Sequence, residues 1–331
     1  AYESLLSIYP DNIPARERLV EVYLALGQKN EAAHQVEQIK EHSRPGEPER
    51  QALGLIYLRQ GKIDASITEL NLIVTAWPKD HKSRYYLATA YEEKGNIEKA
   101  LEQFNQIDKG SKYYTNAQMH IVHLFIIGEK YDEALNTLTG LMAQDRDNTD
   151  LYLMLASIYE AQEKYEQAIA AIKDGLKLDE KNVNLRFRLG VLLDKTGEKD
   201  ACIKEMKQLL EIDPNNADAL NYIGYTYAEQ GVRLDEAMFL IQKALKSKPD
   251  SGYIIDSLGW VYFKKGQYEK AVRTLEKAAT LTGDDPTVQE HLGDAYVATK
   301  KYEKALQHYE KALSLEHPEE TRIKEKIAEV R

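Results

Sequence analysis

The sequence predicts an all-α protein built as a right-handed α-solenoid, a superhelix of tandem helix–turn–helix repeats. Three observations support this prediction. Hydrophobic and small residues recur at a spacing of 34, which is the period of two antiparallel helices with their turns. Glycines and prolines fall where the helices of such a unit should end. The chain is 43% hydrophobic and 30% charged with nine prolines, a composition that suits stable helices and argues against disorder.

The first helix of each predicted unit carries three residue types on one face. An aliphatic residue comes first, a small or short residue follows it, and a large ring comes three residues later. The aliphatic ladder is Leu19, Leu53, Leu87, Ile121, Leu155, Leu189, Ile223, Leu258 and Leu292. The ring ladder is Tyr23, Tyr57, Tyr91, Phe125, Tyr159, Tyr227, Tyr262 and Tyr296, with Leu193 in the remaining unit.

The second helix of each unit carries a small residue where the paired helices should approach closely. This ladder is Ala32, Ser66, Ala100, Ala134, Ala168, Cys202, Ala237, Ala271 and Ala305. Cys202 is therefore interpreted as a packing residue, and as the sole cysteine it excludes an internal disulfide and a cysteine-based structural zinc site.

The turn after the first helix is expected to need a backbone with positive φ. Glycine stands there in six units, as Gly27, Gly61, Gly95, Gly197, Gly231 and Gly266. Glu129, Glu163 and Lys300 replace it in the other three, which should cost a little stability without changing the fold.

This register divides the chain into three parts. Residues 1–12 are interpreted as the second helix of a truncated preceding unit, so we expect further repeats upstream. Residues 13–317 are predicted to form nine units, which start near residues 13, 47, 81, 115, 149, 183, 217, 252 and 286. Residues 318–331 are predicted to form a C-terminal capping helix, in which Ile323 and Ile327 cover the last unit.

Over about residues 13 to 317 these ladders resemble those of the tetratricopeptide repeat family. The resemblance implies a non-catalytic scaffold whose first helices line a concave groove for a peptide or protein partner. The sequence departs from the family at the frequent tryptophan near the start of the first helix. Four units carry arginine there, as Arg16, Arg50, Arg84 and Arg186.

Ten residues on the first helices are predicted to face the groove. They are Tyr85, Met119, His123, Leu153, Phe187, Val191, Asn221, Tyr225, Trp260 and Phe263. Exposed aromatic rings on such a face favour a bound partner, and packing within a tight superhelix is the alternative. Binding is the favoured role of Trp260, because Tyr262 already supplies the core ring, whereas packing is favoured for Met119 and Leu153. Asn221 is expected to hydrogen-bond to a peptide backbone.

The last third of the chain has a narrower resemblance. Its stretches NYIGYTYAEQGVRLDEAMFLIQKAL, DSGYIIDSLGWVYFKKGQYEKAV and PTVQEHLGDAY are similar to a bacterial group of repeat proteins that includes outer-membrane lipoproteins. One relative in that group tethers a carboxy-terminal processing protease. The resemblance implies an adaptor on the periplasmic face of the outer membrane, and without it the cytoplasm is the expected compartment.

Composition and motifs argue against several other classes of function. A net charge of -10 repels phosphate backbones, which argues against a nucleic-acid partner. The chain has no apolar run long enough to span a bilayer, and no nucleophile elbow, phosphate loop or dinucleotide glycine pattern, so neither an enzyme nor a cofactor is expected. His120 and His123 lie three residues apart, but a groove or interface pair is favoured over a metal site.

Two other hypotheses stay open at this point. The chain could be a regulatory or substrate-recruiting module of a larger enzyme whose catalytic domain lies outside this sequence. It could also form a homo-oligomer through an uncapped apolar face at its N-terminal end.

Overall fold

The computed structural model describes residues 1–283 and 285–331. These residues form twenty α-helices and one short 3₁₀ helix, with no β-strand among them. The prediction of an all-α protein is confirmed. The chain divides into two compact units, unit 1 from Ala1 to Lys164 and unit 2 from Tyr165 to Arg331.

Unit 1 consists of helices joined by short turns, with the 3₁₀ helix at Pro48–Arg50. Its helices are α1 (Tyr2–Ile8), α2 (Ile13–Ala25), α3 (Lys29–Glu41), α4 (Gln51–Arg59), α5 (Ile63–Ala76), α6 (His81–Glu93), α7 (Ile97–Asn105), α8 (Tyr114–Ile127), α9 (Tyr131–Met142) and α10 (Thr149–Ala161). Each even-numbered helix from α2 to α8 packs on the helix that follows it. We call α2, α4, α6, α8 and α10 the first helices of unit 1.

Unit 2 repeats the same pairing in the part of it that the structure describes. Its helices are α11 (Tyr165–Leu178), α12 (Val183–Lys195), α13 (Lys199–Ile212), α14 (Ala217–Glu229), α15 (Leu234–Ser247), α16 (Gly252–Lys264), α17 (Tyr268–Thr282), α18 (Pro286–Ala298), α19 (Tyr302–Ser314) and α20 (Glu320–Val330). Here α12, α14, α16 and α18 are the first helices, and α20 packs on α19.

Close packing of the paired helices explains the ladders of small residues. A Cβ atom built on Gly54 would lie 2.5 Å from Cγ of Leu70, so a larger residue would separate α4 from α5. From the opposite helix, Ser66 donates a hydrogen bond of 2.7 Å to the carbonyl oxygen of Gly54. Cys202 is 1% exposed, and burial raises the pKa of its thiol to about 11. The thiol therefore stays neutral at physiological pH, which supports its interpretation as a packing residue.

The turn residues adopt the backbone that the sequence predicts. The six turn glycines all have positive φ, for example 72° at Gly27. Glu129, Glu163 and Lys300 have φ of 56°, 59° and 60°. The backbone of these residues is therefore in the left-handed region, although they have a Cβ atom that glycine lacks.

The four arginines at the family's tryptophan position form hydrogen bonds and ion pairs between neighbouring helices, which the sequence did not predict. Arg186 illustrates it, because its Nη2 donates to the carbonyl oxygen of Glu180 at 2.7 Å while its Nη1 lies 2.6 Å from Oε2 of Glu205. Arg50 likewise bonds to the carbonyl oxygen of Ser43 and pairs with Glu69. Arg16 and Arg84 make the same two kinds of contact, so each guanidinium joins the segment that follows the preceding helix to the second helix of its own pair.

Candidate functional site

Two pockets open on faces formed by first helices, one within each unit. Pocket A, in unit 1, has a volume of about 440 Å³ and draws its walls from α6, α8 and α10, three consecutive first helices. It is lined by Tyr85, Glu92, Asn116, Met119, His120, His123 and Met154. Pocket B, in unit 2, has a volume of about 320 Å³ and lies among α14, α16, α18 and α20.

One wall of pocket A is held by a chain of polar contacts. The hydroxyl of Tyr85 lies 2.9 Å from Nε2 of His120, and Nδ1 of His120 lies 2.7 Å from Oε2 of Glu92. The alignment of this second contact is not that of a hydrogen bond, so we treat it as an electrostatic contact. The Tyr85 hydroxyl donates a hydrogen bond to Nε2 when the neutral imidazole carries its proton on Nδ1, the nitrogen that faces the carboxylate. The ring of His120 also stacks on Phe104, with centroids 4.9 Å apart.

The rest of pocket A is mostly apolar and deformable. Met119 and Met154 are half-buried and pack against the core cluster that contains Val122 and Leu138. Unbranched thioether side chains adapt their shape to different apolar groups. Asn116 and His123 are exposed beside them and place polar groups at the pocket's edge.

Both ring nitrogens of His120 already contact protein groups, which leaves His123 as the freer of the two predicted histidines. Among the residues that the structure describes, no group of three histidine, cysteine, aspartate or glutamate side chains is arranged to hold a metal ion. His120 and His123 instead both line pocket A.

Trp260 in pocket B is covered by its own chain. The indole is 6% exposed and stacks between Phe263, at a centroid distance of 4.8 Å, and His291, at 4.1 Å. Its Nε1 donates to Oε1 of Glu229 at 3.2 Å, and the Nζ of Lys264 lies 4.8 Å from the ring centroid. The indole is therefore in stacking contact with two rings of its own unit.

Tyr225 and His291 extend this buried arrangement. The hydroxyl of Tyr225 donates to Oε2 of Glu229 at 3.1 Å, and burial raises the pKa of this tyrosine well above its usual range. Nδ1 of His291 lies 3.0 Å from both carboxylate oxygens of Asp256. Burial alone would lower the pKa of His291, but the charge and hydrogen bond of Asp256 raise it overall.

A buried carboxylate is the centre of the charged side of pocket B. The side chain of Glu290 is 3% exposed, with Nη2 of Arg322 at 2.6 Å and Nζ of Lys326 at 2.7 Å. Burial would raise the pKa of Glu290, but the hydrogen bonds and charges of these two cations lower it overall. Lys326 also lies 2.7 Å from Asp294, whose Oδ1 accepts a hydrogen bond from the Tyr309 hydroxyl.

His317 lies against the same carboxylate in a defined tautomer. Its Nδ1 accepts a hydrogen bond of 3.0 Å from the backbone N–H of Glu319, so the neutral ring carries its proton on Nε2. Nε2 lies 3.0 Å from Oε2 of Glu290, but it forms no aligned hydrogen bond with any described residue.

The other predicted groove residues lie outside the linings of both pockets. Leu153, Phe187 and Val191 are half-buried, and Phe263 stacks on Trp260. Asn221 is half-buried, and its Oδ1 is a buried acceptor to which no described residue donates a hydrogen bond.

Several lining residues were missed by the sequence analysis, for two different reasons. Glu92 lies seven residues after Tyr85, two turns along the same helical face, so its periodicity could have revealed it. Arg322 and Lys326 belong to the predicted capping helix, where the repeat pattern has ended and carries no signal.

Comparisons with known proteins agree with this architecture. Family models described as tetratricopeptide repeat match residues 52–114, 127–177, 160–221 and 205–239, and a model described as anaphase-promoting complex, cyclosome, subunit 3 matches residues 230–312. A curated TPR repeat-containing protein of Pseudomonas aeruginosa is 46% identical over 59 residues, which is 18% of this chain and a tenth (10%) of that relative.

Solved structures show the same fold at low identity. A tetratricopeptide repeat protein from Parabacteroides merdae superposes with a TM-score of 0.58 at 17% identity, covering 76% of this chain and 98% of that one. The crystal structure of the APC/C hetero-tetramer Cut9–Hcn1 gives a TM-score of 0.54 at 12% identity, covering 99% of this chain and 85% of the matched chain. In the part of the chain that the structure describes, no helix combines the length and apolar character needed to cross a membrane.

Proposed function

Because the chain belongs to the tetratricopeptide repeat family, we propose that it is a non-catalytic scaffold whose first-helix faces bind a peptide segment of a protein partner. The family's fold is typical of protein-interaction scaffolds. For this chain, pocket A is the observation that carries the proposal.

Pocket A has the properties of a site for an apolar side chain of a peptide. Its walls come from three consecutive first helices, so a bound segment would contact several repeats at once. Met119 and Met154 supply an adaptable apolar surface, while the Tyr85–His120 hydrogen bond holds the opposite wall in one conformation. The exposed amide of Asn116 can bond to the peptide backbone beside the pocket.

The remaining predicted groove residues extend the proposed surface beyond pocket A. In unit 2, the half-buried Asn221 keeps its proposed role of hydrogen-bonding to a peptide backbone: no described residue donates to its Oδ1, and a change of its side-chain rotamer would bring this buried oxygen to the surface. Tyr225 and Trp260 line pocket B, where a partner meets ring edges and carboxylates rather than open ring faces.

We further propose that the scaffold acts as an adaptor in a bacterial envelope complex. The similarity of the last third to a bacterial adaptor group supports this role, and the 46% identity over 59 residues to a TPR repeat-containing protein of Pseudomonas aeruginosa supports the bacterial part of the proposal alone. The matched stretch spans only a tenth (10%) of that relative, so the role is tested by partner identification rather than by analogy.

The test is selection of a phage-displayed random peptide library on the full chain, followed by calorimetric titration of the selected peptides. Met119→Glu places a charge in the apolar pocket and is expected to weaken binding at least about tenfold, equivalent to about 1.4 kcal/mol. The matched control is Leu72→Glu, because Leu72 is an exposed apolar residue of unit 1 on a second helix, outside pocket A. Failure to select any peptide, or equal affinity for both variants, would contradict the proposal.

A further inference from the structure

The two carboxylates that α18 contributes to pocket B, Glu290 and Asp294, are paired with cations from one helix. Glu290 is 3% exposed at its side chain, and a carboxylate buried to that extent is unstable unless it is paired. Its two cationic partners, Arg322 and Lys326, both reach it from α20. Lys326 also pairs with Asp294, so this single helix neutralises both acids of α18.

The attachment of α20 separates into an apolar part and a polar part. Ile323 and Ile327 are buried in the same core cluster as Tyr309 of α19. Arg322 and Lys326 point instead to α18, and their side chains remain 47% and 26% exposed. A helix of 11 residues is marginal by itself, so it depends on these contacts and can detach locally at moderate cost.

A buried imidazole in the same pocket is incompletely satisfied. The side chain of His317 is 2% exposed, and its Nε2–H lies 3.0 Å from Glu290 without the alignment of a hydrogen bond. The Nε2–H group of His317 therefore lacks an aligned acceptor, although Glu290 itself accepts hydrogen bonds of 2.6 Å from Arg322 and 2.7 Å from Lys326.

We infer that Arg322 and Lys326 of α20 are internal ligands of the carboxylates that line pocket B, and that a lysine or arginine side chain of a partner binds these carboxylates by displacing them. This inference rests on the proposed binding function and assigns a partner chemistry to unit 2. Without the two α20 cations, the pocket presents Glu229, Glu290 and Asp294.

Charge and aromatic edges together suit such a ligand. Carboxylates bind guanidinium and ammonium groups through charge-assisted hydrogen bonds, and Tyr225 and Trp260 border the cavity with aromatic carbon. Glu229 already has Lys264 nearby at 3.8 Å, so Glu290 and Asp294 are the principal acceptors. The contact between α20 and pocket B is then autoinhibitory, because a ligand must first displace the chain's own cations.

The probe is a fluorescein-labelled, amidated hexalysine peptide, titrated by fluorescence polarisation at low salt against the full chain. Arg322→Ala with Lys326→Ala is expected to bind it at least about tenfold more tightly than the unmodified protein, because the carboxylates lose their internal partners. Adding Glu290→Gln should remove the gain. Equal affinity with and without Glu290→Gln would overturn the inference.

The matched control is Lys324→Ala with Arg331→Ala. This control also removes two positive charges from the same end of the chain. Lys324 and Arg331, however, pair with Glu320 and Glu310 on the surface. A gain as large in this control would show a general charge effect and overturn the inference.

Hydrogen exchange on the unmodified protein covers the case in which the Arg322 and Lys326 variant unfolds. Saturating hexalysine is expected to accelerate amide exchange in residues 320–330 as α20 detaches, and unchanged or slower exchange there would contradict displacement. The Met119→Glu titration concerns pocket A alone, so its result distinguishes failure of this inference from failure of the proposed function.

Discussion

First helices contribute to the walls of both pockets, yet pocket A is open and apolar while pocket B is lined by charged side chains. Pocket A has thioether walls and leaves Asn116 and His123 exposed. In pocket B the aromatic ring of Trp260 is stacked on both faces, and the carboxylate of Glu290 is paired by α20. The repeat geometry therefore places a pocket, whereas the neighbouring side chains decide whether a partner has free access to it.

The two pockets also stabilise their acids differently. Glu92 in pocket A has the partly exposed His120 at 2.7 Å, whereas Glu290 in pocket B has two permanent cations and an imidazole. A network of this kind contributes little net stability when complete, but removal of one member leaves an uncompensated buried charge. Pocket B should accordingly be the more sensitive of the two to mutation and to pH.

The largest expected effect is on the stability of unit 2. Lys326→Met should lower the free energy of unfolding by about 2 kcal/mol, less than the loss for a fully buried pair because Arg322 remains. The surface control is Lys324→Met, with an expected loss below about 0.5 kcal/mol. Chemical denaturation, with hydrogen exchange in α18 to α20 as a local probe, measures the loss of unfolding free energy in each variant. Equal losses in Lys326→Met and Lys324→Met would contradict the proposed contrast between the pockets.

A smaller effect is expected from acidification, because protonation of Glu290 removes its charge instead of leaving it unpaired. The folded-state pKa of Glu290 is lowered, so its pairing contributes stability above the unfolded value near 4.5 and loses it as pH falls through the folded pKa. The stability advantage of the unmodified protein over Glu290→Gln should therefore shrink as pH falls below about 4.5. Thermal unfolding of both proteins across this range checks it, and parallel curves would show that the Glu290 pairs do not titrate with folding.

The smallest expected effect sharpens the comparison at the turns that follow the pocket helices. Glu129, after α8 of pocket A, has φ of 56°, whereas Gly231, after α14 of pocket B, has φ of 68°. Glu129→Gly should stabilise unit 1 by about 0.5 kcal/mol, and Gly231→Ala should destabilise unit 2 by about 1 kcal/mol, because only glycine adopts positive φ without strain. Denaturant midpoints show whether each variant is more or less stable than the unmodified protein. Stability changes in the same direction for Glu129→Gly and Gly231→Ala would contradict this account of the turns.

Much of pocket A was accessible from sequence. Tyr85, Met119 and His123 are predicted from the 34-residue register, and the structure brings all three into one lining. The repeat register predicts the neighbouring Leu153 in place of Met154, but Leu153 lies one position around the helix and outside the pocket. Adjacent residues on a helix point about 100° apart, so a shift of one residue in the predicted register selects a side chain on a different face of the helix.

Pocket B shows where that reasoning stops. Trp260 has the same register as a groove residue, but its exposure depends on His291 and Phe263, which happen to have flat rings that stack on it. No periodic feature of the sequence indicates that Arg322 and Lys326 reach back to α18.

The sequence by itself determined the helices, their pairing, the small residues between them and the positive-φ turns, since all of these depend on local periodicity and steric limits. Tertiary structure alone decided which first-helix face stays open and which is covered. That outcome depends on how far long side chains such as Arg322 and Lys326 extend from a helix outside the repeat, and on the cost of leaving Glu290 buried without a cation.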